Sequence, residues 1–228
     1  MTVAECKAAA GKRAASFVES GMIVGLGTGS TAAYFVQSLG ERVAQGLKII
    51  GVPTSEATRA LASSLSIPLG SLDDYPQLDI VIDGADEVER GTLNLIKGLG
   101  GALLREKLVA QAAKRFVVIV DATKPVECLG ERVPVPVEVV PFGSKSTVLR
   151  LRDAGAFDIA PRLASSGDHF ITDNGNFIFD CNFGLIRDVK TLSSCLDAIV
   201  GVVEHGIFAH MTSDVIIATE KEIVQWSE

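Results

Sequence analysis

Met22-Ile-Val-Gly-Leu26-Gly27-Thr28-Gly29-Ser30-Thr31-Ala-Ala-Tyr-Phe-Val36 is the stretch that decides the fold. Met22–Leu26 is an apolar run of strand length with no polar alternation. A glycine-rich turn follows, and from Thr31 to about Val43 the pattern is helical. A strand that is apolar on both faces and runs straight into a helix belongs to a parallel sheet covered on both sides. The neighbouring segments repeat the unit. Lys48–Val52 reads as a strand and Ser55 to Leu65 as a helix. Asp79–Asp83 is a third strand, Ala102 to Ala113 a helix anchored by Leu103, Leu104 and Leu108, and Phe116–Val120 an uninterrupted apolar strand. Upstream, Thr2 and Glu5 have capping-box spacing, Val3, Ala10, Ala14, Phe17 and Val18 share a helix face, and Gly21 ends the run. The expected architecture is α/β, a Rossmann-like, mostly parallel sheet covered by helices. Such sheets bind ligands at the carboxyl ends of their strands.

The pattern changes near Val133. Val133-Pro-Val-Pro-Val-Glu-Val-Val-Pro141 is extended and proline-punctuated, which predicts an edge strand or a domain crossing. Ser144 to Asp153 and Thr191 to Ile199 read as helices. His169–Thr172 and Asn176–Asp180 read as strands of a hairpin turning at Asp173-Asn-Gly175. Residues 133–205 are therefore expected to form a small inserted α+β domain that takes part in oligomerisation. Residues 1–132 and 206–228 would form the α/β catalytic domain, with Ile207–Ala209 and Asp214–Ala218 rejoining its sheet.

Composition narrows the classes of function. The 228 residues carry 21 basic and 28 acidic side chains, a net charge of −7, and only 6% aromatics. A general nucleic-acid binder needs basic patches and stacking surfaces, so that class is not expected. Mean hydropathy is +0.33, yet no apolar run approaches the ~18 residues of a membrane span. The N-terminus has neither the basic nor the apolar region of a signal peptide. Four scattered cysteines (Cys6, Cys128, Cys181, Cys195) suit a reducing cytosol.

Four segments carry candidate chemistry. In Gly25-Leu-Gly27-Thr28-Gly29-Ser30-Thr31 the glycines let a ligand approach the backbone, and helix N–H groups and hydroxyls make an anion site. The dinucleotide fingerprint fails because its third glycine would fall on Ser30, and no Gly-Lys-Ser/Thr completes a Walker A loop. A plain capped turn is the alternative. Asp83-Gly84-Ala85-Asp86-Glu87 places two carboxylates at a strand's carboxyl end, where their mutual influence suits acid–base work. A solvated acidic turn or a Mg²⁺ site are the alternatives, and no histidine is near enough for zinc. In Lys97-Gly98-Leu99-Gly100-Gly101 through Arg105-Glu106-Lys107, the lysine and turn N–H groups can neutralise an oxyanion. A shielded glutamate can act as a base near neutral pH, unless Glu106 is only an ion-pair partner. Asp121-Ala-Thr123-Lys124-Pro125 puts a lysine on the same rim, either to hold a phosphate or simply solvated.

Together these segments resemble the type A ribose-5-phosphate isomerase family. The resemblance also takes in Val135-Pro-Val-Glu-Val139, Thr172-Asp-Asn-Gly-Asn176, and Gly201-Val-Val with Gly206-Ile-Phe-Ala209. It implies an enzyme of the non-oxidative pentose phosphate pathway that interconverts ribose 5-phosphate and ribulose 5-phosphate through a cis-enediol, without metal or cofactor. Glu106 matches the family's general base, and Asp83, Asp86 and Lys97 its other catalytic groups. Thr28, Gly29, Ser30, Thr31, Asp83, Gly84, Ala85, Asp86, Lys97, Gly98, Leu99, Gly100 and Lys124 match its substrate-binding segments, and Lys7 a lysine near the phosphate. Leu99 stands where many bacterial members have glycine, and Leu104 where many have threonine. With Lys97, Gly98, Gly100 and Glu106 in place, this reads as variation within the family. The implied partner is a small sugar phosphate, with no nucleic acid and no membrane, in a cytoplasmic homodimer or homotetramer.

Two other classes compete. A non-catalytic sugar-phosphate sensor on the same fold would keep the phosphate turn and could lose the base, and Glu106 is present. A deaminase or acyl-CoA transferase would need different acid–base groups.

Overall fold

The computed structural model describes residues 1–227. Its elements run α1 (Val3–Ala15), β1 (Ile23–Leu26), α2 (Ser30–Ala44), β2 (Ile50–Pro53), α3 (Glu56–Ser64), β3 (Ile80–Asp83), β4 (Glu87–Glu89), β5 (Leu95–Ile96), α4 (Leu103–Ala112), β6 (Phe116–Asp121) and β7 (Pro125–Val126). Then follow β8 (Val135–Val139), α5 (Ser144–Asp153), β9 (Asp158–Pro161), β10 (Phe177–Asn182), α6 (Val189–Asp197), β11 (Val202–His205), β12 (Ile207–Phe208), β13 (Asp214–Ala218) and β14 (Ile223–Ser227). The chain divides into two compact units. One comprises Met1–Ala85, Arg105–Lys124 and the stretch from Met211, and the other Asp86–Leu104 and Pro125–His210.

The first unit is built on a six-stranded sheet in the order β14-β13-β6-β3-β1-β2. All its pairings are parallel except that of the edge strand β14 with β13. The expected parallel α/β sheet is therefore present. Strands β3, β6 and β13 are buried along their whole length, as strands covered on both faces must be. Side chains alternate between faces. Val24, Leu26, Ile80, Ile82, Val117, Ile119 and Ile216 point to one side, where α1, α2 and α3 supply Ala10, Ala14, Phe35, Val36, Leu39 and Ala62. Val81 points to the other side, where a side chain added at Gly25 would meet Val109 of α4. The predicted capping box of α1 forms, with Thr2 N–H donating to Glu5 Oε2 (2.6 Å) and Glu5 N–H to Thr2 Oγ1 (3.3 Å).

Two expected anchors are exposed. Val3 is 56% exposed, because the buried face of α1 begins only at Cys6. Leu108 is 47% exposed, and the buried stripe of α4 runs through Leu103, Glu106, Lys107 and Ala110 instead. That is i, i+3, i+4, i+7 spacing with two charged residues on the inner face.

The second unit holds a sheet in the order β11-β8-β10-β9 and a smaller one in the order β12-β5-β4-β7. Its core gathers Val135, Val137 and Val139 of β8 with Phe179, Cys181, Leu151, Val189 and Leu196. Strand β8 is interior, not the expected edge, despite Pro136. Register explains this. Pairing with β11 ends at His205 opposite Val137, so the missing N–H of Pro136 falls just past the ladder, while its carbonyl accepts the Gly206 N–H (2.7 Å). The hairpin also differs. The Thr172–Asn176 turn closes with Thr172 N–H to Asn176 O (2.9 Å), but His169–Thr172 makes only isolated bridges, and β9 pairs with β10. Ile207–Phe208 does not rejoin the large sheet. It pairs with β5, and only β13 and β14 return. The second unit also takes in residues 86–104 and 125–132, because β4, β5 and β7 pair with one another and with β12. Glu87 of β4 is fully buried, and its carboxylate accepts the N–H groups of Gly130 (2.7 Å), Arg132 (2.6 Å) and Val133 (3.0 Å).

One edge of the first sheet depends on a carboxylate. Asp214 accepts hydrogen bonds from Ser227 (2.8 Å), Arg115 (2.8 Å) and Gln225 (2.9 Å). Burial pushes its pKa up, but these donors outweigh burial and hold it below the usual carboxylate range. A folded pKa below the unfolded value means the stabilisation is complete above the unfolded pKa and is lost as pH falls through the folded one. Asp214→Asn is expected to cost about 1–3 kcal/mol at pH 7. The gap from wild type should narrow toward pH 3 in urea titrations, and a gap independent of pH would mean the charge is not its source.

Candidate active site

In the first unit the candidate residues gather at the carboxyl edge of the large sheet. Gly27 continues the chain beyond β1, its N–H donating to Ile82 O (3.0 Å). A side chain here would fall on the Asp83 carboxylate, so only glycine lets the turn lie against β3. Asp83 is 1% exposed, and its Oδ1 accepts the N–H groups of Thr28 (2.9 Å) and Gly84 (2.7 Å). One carboxylate thus ties the glycine turn to the Asp83–Ala85 turn. Thr28 Oγ1 joins a hydroxyl cluster with Thr54 (2.7 Å), Ser55 (2.8 Å) and Thr58 (3.1 Å). Thr58 in turn donates to Gly27 O (2.9 Å) and Thr54 to Leu26 O (3.1 Å). Helix α2 starts at Ser30, and Lys7 Nζ of α1 donates to Ser30 Oγ (2.9 Å). A helix N-terminus, hydroxyls and a lysine make an anion site.

Glu106 lies in the first turn of α4 and is 4% exposed. The residue has an interaction within the protein, while the Oε2 atom itself accepts no hydrogen bond. A carboxylate that buried is sheltered from bulk water, as a general base requires. Its neighbour Arg105 turns outward to Glu56 (2.7 Å), whose carboxyl Arg105 holds below its ordinary range. Lys124 stands on the same rim, after β6, with its N–H bonded to Asp121 O (3.2 Å). Lys7, not Lys124, is the lysine hydrogen-bonded to the glycine turn.

The second unit holds the other candidates. Asp86 N–H donates to Ile96 O (2.8 Å), and Asp86 Oδ2 accepts the Leu99 N–H (3.0 Å). Lys97 is 2% exposed, with Nζ 5.5 Å from the centre of the Phe208 ring. Gly98 has φ 102°, the left-handed conformation that excludes most side chains, and Gly101 N–H closes the turn onto Gly98 O (3.0 Å). Leu99 is not among the residues with positive φ. The turn therefore accepts leucine there without strain, and the Leu99 side chain is 39% exposed.

Sequence reasoning missed two groups. Thr54, Ser55 and Thr58 follow β2 at the carboxyl edge of the sheet, and the run Pro53-Thr-Ser55 after an apolar strand was the available signal. Arg162 donates from Nη1 to Gly98 O (2.7 Å) and Leu99 O (3.0 Å), and its guanidinium also pairs with Asp180. No local pattern links Arg162 to a turn so distant in sequence.

One cluster has the makings of a cation site: Asp197, Glu204 and His205. His205 Nδ1 accepts the Ile207 N–H (3.2 Å), so Nε2 carries the ring hydrogen and points it at Asp197 (3.1 Å) and Ser193 (3.2 Å). In that tautomer the one ring lone pair, on Nδ1, is already taken by the Ile207 N–H, and the cluster reads as a tie between α6 and β11.

The family model described as ribose 5-phosphate isomerase A (phosphoriboisomerase A) matches residues 50–222. A ribose-5-phosphate isomerase A of Gluconobacter oxydans is 58% identical over 220 residues, covering 96% of this chain and 95% of that protein. The structure of ribose 5-phosphate isomerase A from Methanocaldococcus jannaschii superposes with a TM-score of 0.94 at 42% identity, over 98% of this chain and 99% of that one. A D-ribose-5-phosphate isomerase in complex with phospho-erythronic acid superposes with a TM-score of 0.96 at 42% identity, over the full length of both chains.

Proposed function

The chain belongs to the ribose 5-phosphate isomerase A family, and from that premise we infer that it interconverts D-ribose 5-phosphate and D-ribulose 5-phosphate. The observation that carries this reading is the full-length match to an isomerase that binds a phosphorylated sugar acid. The alternative, a sensor without catalysis, gives no reason to shelter a glutamate at the start of α4.

The residues divide the work as follows. The Gly27–Thr31 turn, the N-terminus of α2 and Lys7 hold the phosphate, with Lys124 adding charge at the rim. Asp83 positions that turn through Oδ1 and assists opening of the sugar ring. Glu106 takes the proton from C2 and returns it to C1, through a cis-enediol. Lys97, Asp86 and the N–H groups of the Leu99–Gly100 turn manage the charge and proton on the two oxygens. This chemistry moves protons only, and asks for no redox cofactor.

We also propose a homodimer or homotetramer. Phe142 (93% exposed), Val200 (94%) and Phe157 (72%), all in the second unit, are large apolar side chains of the kind that oligomer interfaces cover. The enzyme is proposed to work in the cytoplasm, where its four free cysteines stay reduced. Among the described residues no helix is long and apolar enough to cross a membrane.

Incubation with ribose 5-phosphate in the presence of a chelator is expected to produce ketose absorbance. No ketose with or without added metal would favour the sensor, and activity lost only with chelator would overturn the metal-free mechanism.

A further inference from the structure

Turn 97–101 is held on its outer side by a side chain that the reaction scheme does not use. Arg162 Nη1 reaches both Gly98 O (2.7 Å) and Leu99 O (3.0 Å). The rest of the guanidinium is taken up by Asp180 on β10, through Nε to Oδ2 (3.1 Å) and Nη2 to Oδ1. Two-point pairing with a carboxylate fixes the plane of the guanidinium as well as its position. The residue sits just past the end of β9, and its N–H donates to Ile178 O (2.8 Å). Its carbonyl accepts the N–H of Phe170 (2.9 Å), whose ring packs where a Gly101 side chain would go.

The consequence follows from peptide geometry. A trans peptide sets its N–H opposite its C=O, and among the described residues no peptide bond is cis. With the carbonyls of residues 98 and 99 both turned to Arg162, the N–H groups of Leu99 and Gly100 face away from it. One of the two is seen in use, as Leu99 N–H donates to Asp86 Oδ2 (3.0 Å). The Gly98–Leu99 peptide is thus gripped at both ends, by Arg162 on the carbonyl and by Asp86 on the N–H. Asp180, Arg162, this peptide and Asp86 form one hydrogen-bonded relay.

We propose that Arg162, locked by Asp180, is a positioning residue for the isomerisation: it orients the Leu99 and Gly100 N–H groups, one toward Asp86 and the other toward the substrate oxygen that gains charge. It touches no substrate and acts through the turn. The proposal rests on the isomerase reading above. It also explains how leucine is accommodated at position 99, since a clamp on two carbonyls holds the turn whatever the exposed side chain.

The test compares wild type, Arg162→Gln, Arg162→Lys and Asp180→Asn. Misplaced turn donors are expected to lower kcat about 100-fold in Arg162→Gln, with KM for ribose 5-phosphate changed by less than about threefold because the phosphate ligands are elsewhere. Arg162→Lys restores charge but not the two-point grip, so its kcat should fall between the two. Asp180→Asn keeps the arginine but loosens its plane, and serves if Arg162→Gln does not fold. Amide hydrogen exchange at Leu99 and Gly100 should speed up in every variant. Wild-type kcat in folded Arg162→Gln would overturn the proposal, as would a fall that Arg162→Lys rescues fully or one shared equally by KM and thermal stability. A wild type without isomerase activity would instead sink the functional reading. Faster exchange in the variants would then leave Arg162 a clamp for the turn and end its role in isomerisation.

Discussion

Glu106→Gln is expected to lower kcat by about 10²–10⁴-fold, the usual range for removing a general acid–base group, while KM for ribose 5-phosphate stays within a few-fold. The amide is the same size and shape, so the inner stripe of α4 keeps its packing. What it loses is the ability to take a proton from C2 and carry it to C1. The proposed phosphate ligands should be untouched, because their bonds do not involve Glu106: Lys7 donates to Ser30, and Thr28 bonds to the Thr54 hydroxyl. Two readouts check the assignment. Exchange of the substrate C2 hydrogen with solvent should stop along with turnover, and phospho-erythronic acid should still bind. Near-normal kcat would remove Glu106 as the base. Loss of both binding and catalysis would point to a structural carboxylate, the ion-pair alternative raised by Lys107 and Arg105.

Helix α4 also shows how far the sequence could be read. Its length and position were legible from the spacing of Leu103, Leu104 and Leu108, yet Leu108 faces solvent and the inner stripe carries Glu106 and Lys107. Apolar periodicity assumes that burial tracks hydrophobicity, and function breaks that assumption where charged groups are brought inside. The conflict is itself a signal: a Glu-Lys pair at stripe positions of a helix beside a parallel sheet is where a functional site is to be sought. Strands β1, β3 and β6 were legible because burial on both faces leaves a continuous apolar run. Strands β4, β5, β7 and β12 were not, since two or three residues are too few to show a period. The sequence groups Glu87 with the acidic cluster, and nothing local reveals that its carboxylate caps the N–H groups of Gly130, Arg132 and Val133. Arg162 was illegible for the same reason.

Gly27→Ala is expected to destabilise the first unit by about 3–5 kcal/mol, above the usual 1–3 kcal/mol of an overpacked site, and to raise KM for ribose 5-phosphate at least tenfold. The cause is steric. Gly27 is not among the glycines with positive φ, so alanine could adopt its backbone conformation. The new methyl, however, would occupy the space of the Asp83 carboxylate and press on the Asp83 Cα of the adjacent strand. Either the strands part or the carboxylate swings away and drops the N–H groups of Thr28 and Gly84. Hydrogen bonds to a charged group are worth about 1.5–3 kcal/mol each, so losing both would cost more than spreading the strands slightly, and relief should come from a mixture of the two. Whichever dominates, Thr28 moves and the glycine turn proposed to hold the phosphate moves with it. Denaturant titration of Gly27→Ala, Asp83→Ala and the double variant separates the causes. If the carboxylate is the main obstacle, Asp83→Ala will cost at least about 1 kcal/mol less in the Gly27→Ala background than in wild type. Additivity within about 0.5 kcal/mol would place the clash on the Asp83 backbone instead. A Gly27→Ala protein with wild-type stability and KM would show that the turn does not depend on this close approach.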